Sequence, residues 1–234
     1  MTTHTLEPAA QEIADATSKP PFLYDLGPDG ARKVLDDIQA APIAKPDVDE
    51  SWITVPAEVG DVAVRIVKPL GTTGPLPAVL NVHGDERRAG VRGVRPLPRG
   101  PLPGRHRAGI RHGSLDRPRG PHPGPRRVTP RRRGRLGGNM TAALAILAKQ
   151  RSDVTFVHQS LYYPVTDAAQ DTASYREFAD GPFLTAKGMA WFWDAYLPEL
   201  DKRSEITASP LRASLDQLAG LPEAFIIVDE NDVL

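Results

Sequence analysis

The chain has 234 residues, of which 40% are hydrophobic, so it is long enough to bury the core of one large domain. The absence of cysteine excludes disulfides, thiolate metal sites and a cysteine nucleophile, and it agrees with a cytoplasmic protein. Lysine and arginine balance aspartate and glutamate at 29 each, and no apolar run has the length of a signal peptide or a membrane span.

The neutral net charge conceals two different compositions. Residues 85–136 contain 16 arginines, no lysine and 3 acidic residues, whereas the other 182 residues contain 13 basic and 26 acidic ones. The same segment holds 9 prolines and 9 glycines but no phenylalanine, tyrosine, tryptophan or methionine. Such a composition cannot form a core, so we predict that residues 85–136, called here the Arg-rich segment, are non-native or disordered.

Before the Arg-rich segment, the hydrophobic pattern predicts one helix and two strands. Residues 31–41 (ARKVLDDIQAA) are amphipathic at helical spacing, which predicts a short helix. Residues 61–69 carry apolar Val62, Val64 and Ile66 in alternation, as a half-buried strand does. Residues 77–84 (PAVLNVHG) are an apolar run that ends in His-Gly, which predicts a buried strand followed by a loop.

After the Arg-rich segment, helices and strands alternate again. A helix is predicted from Met140, a strand within residues 154–165, an aromatic helix over 185–200 and a final strand over 224–234. Strands that alternate with helices predict an α/β fold with a mostly parallel sheet and helices on both faces.

These pieces, in this order, resemble the α/β hydrolases of the hormone-sensitive-lipase group, which includes bacterial carboxylesterases and acetyl esterases. LNVHG (80–84) is similar to the strand that enters the family's His-Gly-Gly-Gly oxyanion loop, and GGNM (137–140) to the tail of its Gly-Asp-Ser-x-Gly-Gly-Asn nucleophile elbow. YYPVTDAAQDTASYREFADGPFLT and WFWDAYLP resemble the segment after the family's sixth strand, and VDENDVL (228–234) resembles the turn that carries its catalytic Asp. The resemblance implies a single α/β-hydrolase domain over residues 1–234, incomplete as written, with a cap-like helical region at residues 1–50.

The nucleophile elbow of this family places a serine on a strained turn between a strand and a helix. Counting back from Gly137, Gly138 and Asn139 puts that serine at Arg135 and the variable residue at Leu136. Neither side chain can act as a nucleophile. The resemblance therefore implies that Gly137, Gly138 and Asn139 are the remnant of an elbow that has lost its serine.

We interpret the Arg-rich segment as family sequence translated in the wrong frame, because GC-rich DNA read out of frame yields mainly Arg, Pro, Gly and Ala. After removal of the first base, a permitted choice of third bases converts VRGVRPLPRGPLP (91–103) into FVEYDRSPEARYP, which resembles the family's strand and its Tyr-x-Arg-x-Pro-Glu motif. The same operation converts PRRVTPRRRGRL (125–136) into LDGSRLAVAGDS, which places Gly-Asp-Ser directly before Gly137. Within this segment we assign no role to His106, His112, His122 or Ser114.

The resemblance implies further site residues. The family's triad runs Ser, Asp, His along the chain; Asp232 is the best match to the Asp, Asp229 is the neighbouring candidate, and the His would lie beyond Leu234. Only His83 and Gly84 remain of the oxyanion-hole loop, in which the glycine amides bind the oxyanion and His83 shapes the loop. The resemblance implies no metal and no other cofactor.

The sequence thus predicts a serine esterase or lipase that acts on a small-molecule acyl ester with a short acyl chain, in a 234-residue form that is inactive. The family allows a homodimer. Two alternatives stay open: a protein that binds nucleic-acid phosphates through the Arg-rich segment, which lacks the aromatic residues that stack on bases, and a non-catalytic pseudo-hydrolase that binds a partner. Trp191, Phe192 and Trp193 are interpreted as helix packing, with a part in an acyl pocket or lid as the alternative.

Overall fold

A computed structural model of the chain describes residues 6–57, 60–82, 128–131 and 135–234. The chain divides into two compact units. The helical unit comprises Met1–Lys45, Ala169–Pro198 and Val228–Leu234, and the sheet unit comprises Pro46–Ala168 and Glu199–Ile227. The single domain over residues 1–234 stays a prediction.

Within the described residues, the helices and strands are named here in chain order. The helices are α1 (Pro8–Thr17), α2 (Gly27–Ile38), α3 (Arg135–Arg151), α4 (Ala173–Glu177), α5 (Ala186–Tyr196) and α6 (Leu215–Leu218). The strands are β1 (Val48–Val55), β2 (Val62–Pro69), β3 (Ala78–Asn81), β4 (Val128–Arg131), β5 (His158–Tyr162) and β6 (Glu223–Ile227). Short 3-10 turns lie at Leu23–Asp25, Leu200–Ser204 and Pro210–Arg212.

The helical unit contains α5, whose sequence predicted a packed helix. The Thr185 hydroxyl caps the helix by accepting a hydrogen bond from the Gly188 amide at 2.9 Å. Tyr24, from the first 3-10 turn, lies against the same end of α5, with the Lys187 ammonium 4.6 Å from its ring centroid. Trp193 is 3% exposed, which confirms it as a packing residue, whereas Phe192 is 36% exposed.

The sheet unit contains a parallel sheet in the order β3-β4-β5-β6, as the alternation of strands and helices predicted. A separate antiparallel hairpin is formed by β1 and β2. Helix α3 packs against β5 and is buried on most of its circumference, through Ala143, Leu144, Ala145, Ile146 and Ala148. This nearly all-round burial is typical of a helix in the centre of a fold.

The structure corrects four details of the sequence-based prediction. The last strand ends at Ile227 rather than at residue 234, since the residues that follow (DEND) favour turns. The strand β3 is not buried, because Val79 is 52% exposed. Ile66 of β2 is 43% exposed, since its hairpin pairs with no further strand in the described residues. The hairpin strand β1 was not predicted.

Most of the Arg-rich segment lies outside the described residues. Its end does not, because Val128–Arg131 form β4 and helix α3 begins at Arg135. The expectation that the whole of residues 85–136 lacks regular structure is therefore wrong for these two stretches. Strand β4 pairs with β3 and β5, and this pairing outweighs an unfavourable composition.

Candidate functional site

The elbow remnant, defined as Gly137, Gly138 and Asn139, lies near the start of α3. Strand β4 ends at Arg131 and α3 begins at Arg135, so a strand is followed along the chain by a helix. That is the local context a nucleophile elbow requires. All three residues of the elbow remnant are buried.

Gly138 makes a backbone contact that only glycine permits. A Cβ atom built on Gly138 would lie 2.8 Å from both the Cα and the Cβ of Pro164. Pro164 follows β5, so the lack of a side chain at Gly138 lets the first part of α3 lie directly against the chain leaving the neighbouring strand.

Asn139 ties this end of α3 to two distant stretches of chain. Its Nδ2 donates hydrogen bonds to the carbonyl oxygens of Val165 and Ala208, each at 2.7 Å. Asn139 is 1% exposed, and Val165 and Ala208 are 7% and 2% exposed. Because buried carbonyls must be paired, this double donation, called here the Asn139 clamp, fixes the elbow remnant against both loops.

The two loops held by the Asn139 clamp also bond to each other. The Leu211 amide donates to the Thr166 carbonyl at 3.0 Å. The Ser209 hydroxyl accepts from the Ala168 amide at 3.0 Å and donates to the Arg203 carbonyl at 2.6 Å. The surroundings of the elbow remnant are therefore rigidly hydrogen-bonded, as a catalytic turn needs.

The position assigned to the nucleophile is Arg135, the first residue of α3. A serine and a histidine do meet elsewhere, since His158 Nε2 lies 3.2 Å from Ser160 Oγ on β5. The sequence reasoning did not single out this pair. Ser160 is 5% exposed, so we interpret the pair as structural.

Asp232, the predicted catalytic acid, belongs to the helical unit. It is 7% exposed, and its Oδ1 accepts a hydrogen bond from the Leu234 amide at 3.3 Å. This is the local geometry of an Asx turn, which aspartate favours. Its catalytic role stays a prediction. The predicted oxyanion-hole residues His83 and Gly84 lie outside the described residues.

The described residues contain neither a candidate metal site nor a candidate membrane span. In residues 6–57, 60–82, 128–131 and 135–234, no group of three His, Cys, Asp or Glu residues could hold a metal ion. No helix among those residues is long and apolar enough to cross a membrane.

The chain is similar to known proteins in both sequence and fold. A model of the alpha/beta hydrolase fold family matches residues 136–234. The structure of a thermostable esterase from Pseudomonas putida is similar with a TM-score of 0.81 and 28% identity, over 100% of this chain and 81% of that one. The chain has the α/β-hydrolase fold and is similar to esterases.

Two curated relatives agree with this assignment. A putative alpha/beta hydrolase of Acanthamoeba polyphaga mimivirus is 28% identical to this chain, over 98% of this chain and 72% of the viral protein. The carboxylesterase NlhH of Mycobacterium tuberculosis is 39% identical over 100 residues, which are 42% of this chain and 31% of that protein. The second of these relatives is an ester hydrolase, and neither is described as a nucleic-acid-binding protein.

Proposed function

We propose that this α/β hydrolase derives from a carboxylic ester hydrolase that cleaves short acyl esters with a serine, a histidine and an aspartate. The observation that carries the proposal is the elbow remnant, because three buried residues of the family motif stand at the start of a helix that follows a sheet strand. The Asn139 clamp adds the rigidity that a nucleophile on such a turn requires. The similarity to esterases supplies the reaction class.

In this proposal the residues have the roles that the family assigns to them. A serine at the position of Arg135 would attack the ester carbonyl after a histidine removes its proton. Asp232 would orient that histidine and stabilise its charged form. The amide of Gly84 would donate to the tetrahedral oxyanion, in a loop shaped by His83. The same proposal includes a preference for short esters, a place in the hormone-sensitive-lipase group, a cytoplasmic location and a homodimer.

We also propose that the Arg-rich segment is family sequence read out of frame. The match to the family model begins at Leu136, the last residue of the segment. Strand β4 lies between β3 and β5, and central parallel strands are normally continuous apolar runs without proline. Here the strand reads VTPR, so Pro130 offers no amide to the ladder and Arg131 stands opposite Ser160. A sequence selected for this position would not contain either residue.

The experiment compares two proteins in the hydrolysis of p-nitrophenyl acetate and butyrate. The first is the 234-residue chain, and the second carries residues 85–136 in the alternative frame and continues to the first stop codon of the gene. We expect the first to be no faster than a heat-denatured sample and the second to turn over both esters. Replacing the recovered serine by alanine should abolish turnover by the second protein.

The role of Asp232 is tested in the second of these proteins, called here the reframed protein. Asp232→Asn should lower kcat by a factor on the order of 10⁴, since an asparagine favours the wrong histidine tautomer. The matched control is Asp216→Asn on α6, an exposed aspartate, which should leave kcat unchanged. If the 234-residue chain hydrolysed esters and kept this activity after Asp232→Ala, the assignment of the catalytic triad would be refuted. If the reframed protein folded but did not hydrolyse acyl esters, the proposed esterase function would be refuted.

A further inference from the structure

The Lys149 ammonium lies where three backbone carbonyl oxygens converge. Lys149, near the end of α3, donates from Nζ to the carbonyl oxygens of Asp216 at 2.7 Å, Gln217 at 3.0 Å and Ala219 at 2.6 Å. All four residues belong to the sheet unit. A lysine ammonium has three N–H donors and no acceptor, so these bonds use every donor that it has. The three oxygens are called here the carbonyl cradle.

The carbonyl cradle is held in shape by bonds that do not involve the lysine. At the start of α6, the Ser214 hydroxyl accepts from the Gln217 amide at 3.3 Å, and Gln217 Oε1 accepts from the Ser214 amide at 2.8 Å. At its end, the Ala219 amide donates to the Leu215 carbonyl at 2.8 Å, and Gly220 has a φ of 75°. The last carbonyl oxygens of a helix lack an amide partner within the helix. The cradle is therefore preformed by the backbone around α6.

The chemistry of the carbonyl cradle selects one class of ligand. Neutral carbonyl dipoles at the negative end of a helix stabilise a small monovalent cation. Calcium and magnesium need a larger set of oxygen ligands, usually with carboxylates among them. A guanidinium holds its donors in a planar fork, which cannot direct three N–H groups from one nitrogen to three surrounding oxygens. A primary ammonium group has the donor arrangement that the cradle requires.

We propose that the carbonyl cradle is a binding site for a primary ammonium ion, which Lys149 fills from within the chain. A free alkylammonium ion occupies the site when the lysine side chain is shortened. The filled site fastens the end of α3 to the segment that leads into β6. Gln159 on β5 fixes the far end of that segment, because its Nε2 donates to the Pro222 carbonyl at 3.1 Å. The site does not depend on ester hydrolysis.

The test is thermal unfolding of the 234-residue chain at low salt, followed by circular dichroism. Lys149→Ala should lower the Tm by at least about 2 °C. Propylammonium chloride, whose cation equals the group removed, should restore most of this loss at up to about 0.2 M. Tetramethylammonium chloride at the same concentration has no N–H donor and should not restore it. Neither salt should stabilise the native chain more than the other does.

Two further variants separate the carbonyl cradle from a general effect of charge. Lys149→Arg keeps the charge near the end of α6 and should still lower the Tm by at least about 1 °C. Lys68→Ala removes a lysine that faces a carboxylate, Asp49, at 3.6 Å, and its Tm should respond equally to the two salts. Equal responses of Lys149→Ala to the two salts, or a Lys149→Arg chain as stable as the native one, overturn the proposal.

A measurement on the native chain covers the case in which the Lys149 variants do not fold. The chain is acetylated with a limiting amount of an N-hydroxysuccinimide ester, and the modified lysines are quantified by peptide mass spectrometry. Lys149 should react at least about tenfold more slowly than the exposed Lys68, because a nitrogen that keeps three bonded protons has no lone pair for attack. Equal rates at the two lysines overturn the proposal.

Discussion

Replacing Asn139 by leucine removes the Asn139 clamp while nearly conserving side-chain volume. Two hydrogen bonds of 2.7 Å are lost, and the carbonyls of Val165 and Ala208 are left buried without this donor. Each lost bond costs about 1 kcal/mol and each buried unpaired carbonyl adds about 1–2 kcal/mol. Asn139 Oδ1 has no partner within the described structure, so its removal returns about 1–2 kcal/mol. The free energy of unfolding should fall by about 2–5 kcal/mol.

The measurement is urea unfolding followed by tryptophan fluorescence and circular dichroism. Asn81→Leu is the matched control, because Asn81 on β3 is exposed, and it should change the free energy of unfolding by less than about 0.5 kcal/mol. Hydrogen exchange should accelerate in α3 and in both loops of the Asn139 clamp. A loss below about 1 kcal/mol for Asn139→Leu would refute the reasoning, because a single ordinary hydrogen bond is worth that much.

Replacing Thr141, on the same helix, should change the free energy of unfolding in the opposite direction. Its side chain is 0% exposed, and its hydroxyl has no hydrogen-bond partner among the described residues. Thr141→Val keeps the shape and removes a buried polar atom that gains nothing from burial. We expect the free energy of unfolding to rise by about 1 kcal/mol in the same urea experiment, and a decrease would show that the hydroxyl is paired in solution.

Two further predictions concern packing and pH. Gly138→Ala should lower the free energy of unfolding by about 1–3 kcal/mol, because the new Cβ would lie 2.8 Å from Pro164, whereas Gly74→Ala, with no heavy atom within 4 Å, should have little effect in the same assay. The hydrogen bond from Arg65 holds the pKa of Glu50 below its ordinary value. The stability from this pair is therefore present above the ordinary carboxyl pKa and is lost as the pH falls through the lowered one. Urea unfolding across acidic pH should show the native chain and Glu50→Gln converging, and a constant difference would contradict the assignment.

The parts of the fold that the sequence predicted correctly are those determined by local pattern. The amphipathic residues 31–41 lie largely within α2, and the alternation around Val64 is found in β2. Strand β1 was missed because its charges, such as Asp49, mask the strand pattern. These charges are accommodated by partners on β2, and such pairing between strands is not visible in a local window.

The sequence predicted the site only in part, because contacts between residues far apart in the chain leave no local pattern. The motif around Gly138 is contiguous and could be read from the sequence, and its place at the start of a helix followed from family resemblance. The Asn139 clamp joins residues that are 26 and 69 positions apart, so no local pattern could predict it. Strand β4 was unpredictable because its sequence, with Pro130, contradicts its central position in the sheet.

The nucleotide sequence of the gene across codons 85–136 tests most directly whether a change of reading frame has removed the serine of the nucleophile elbow. The frame-shift hypothesis predicts that the alternative frame is free of stop codons and encodes a Tyr-x-Arg-x-Pro-Glu motif. It also predicts an apolar strand that ends in Gly-Asp-Ser directly before the codon for Gly137. Stop codons in that frame, or third bases that spell an unrelated sequence at these positions, would contradict it.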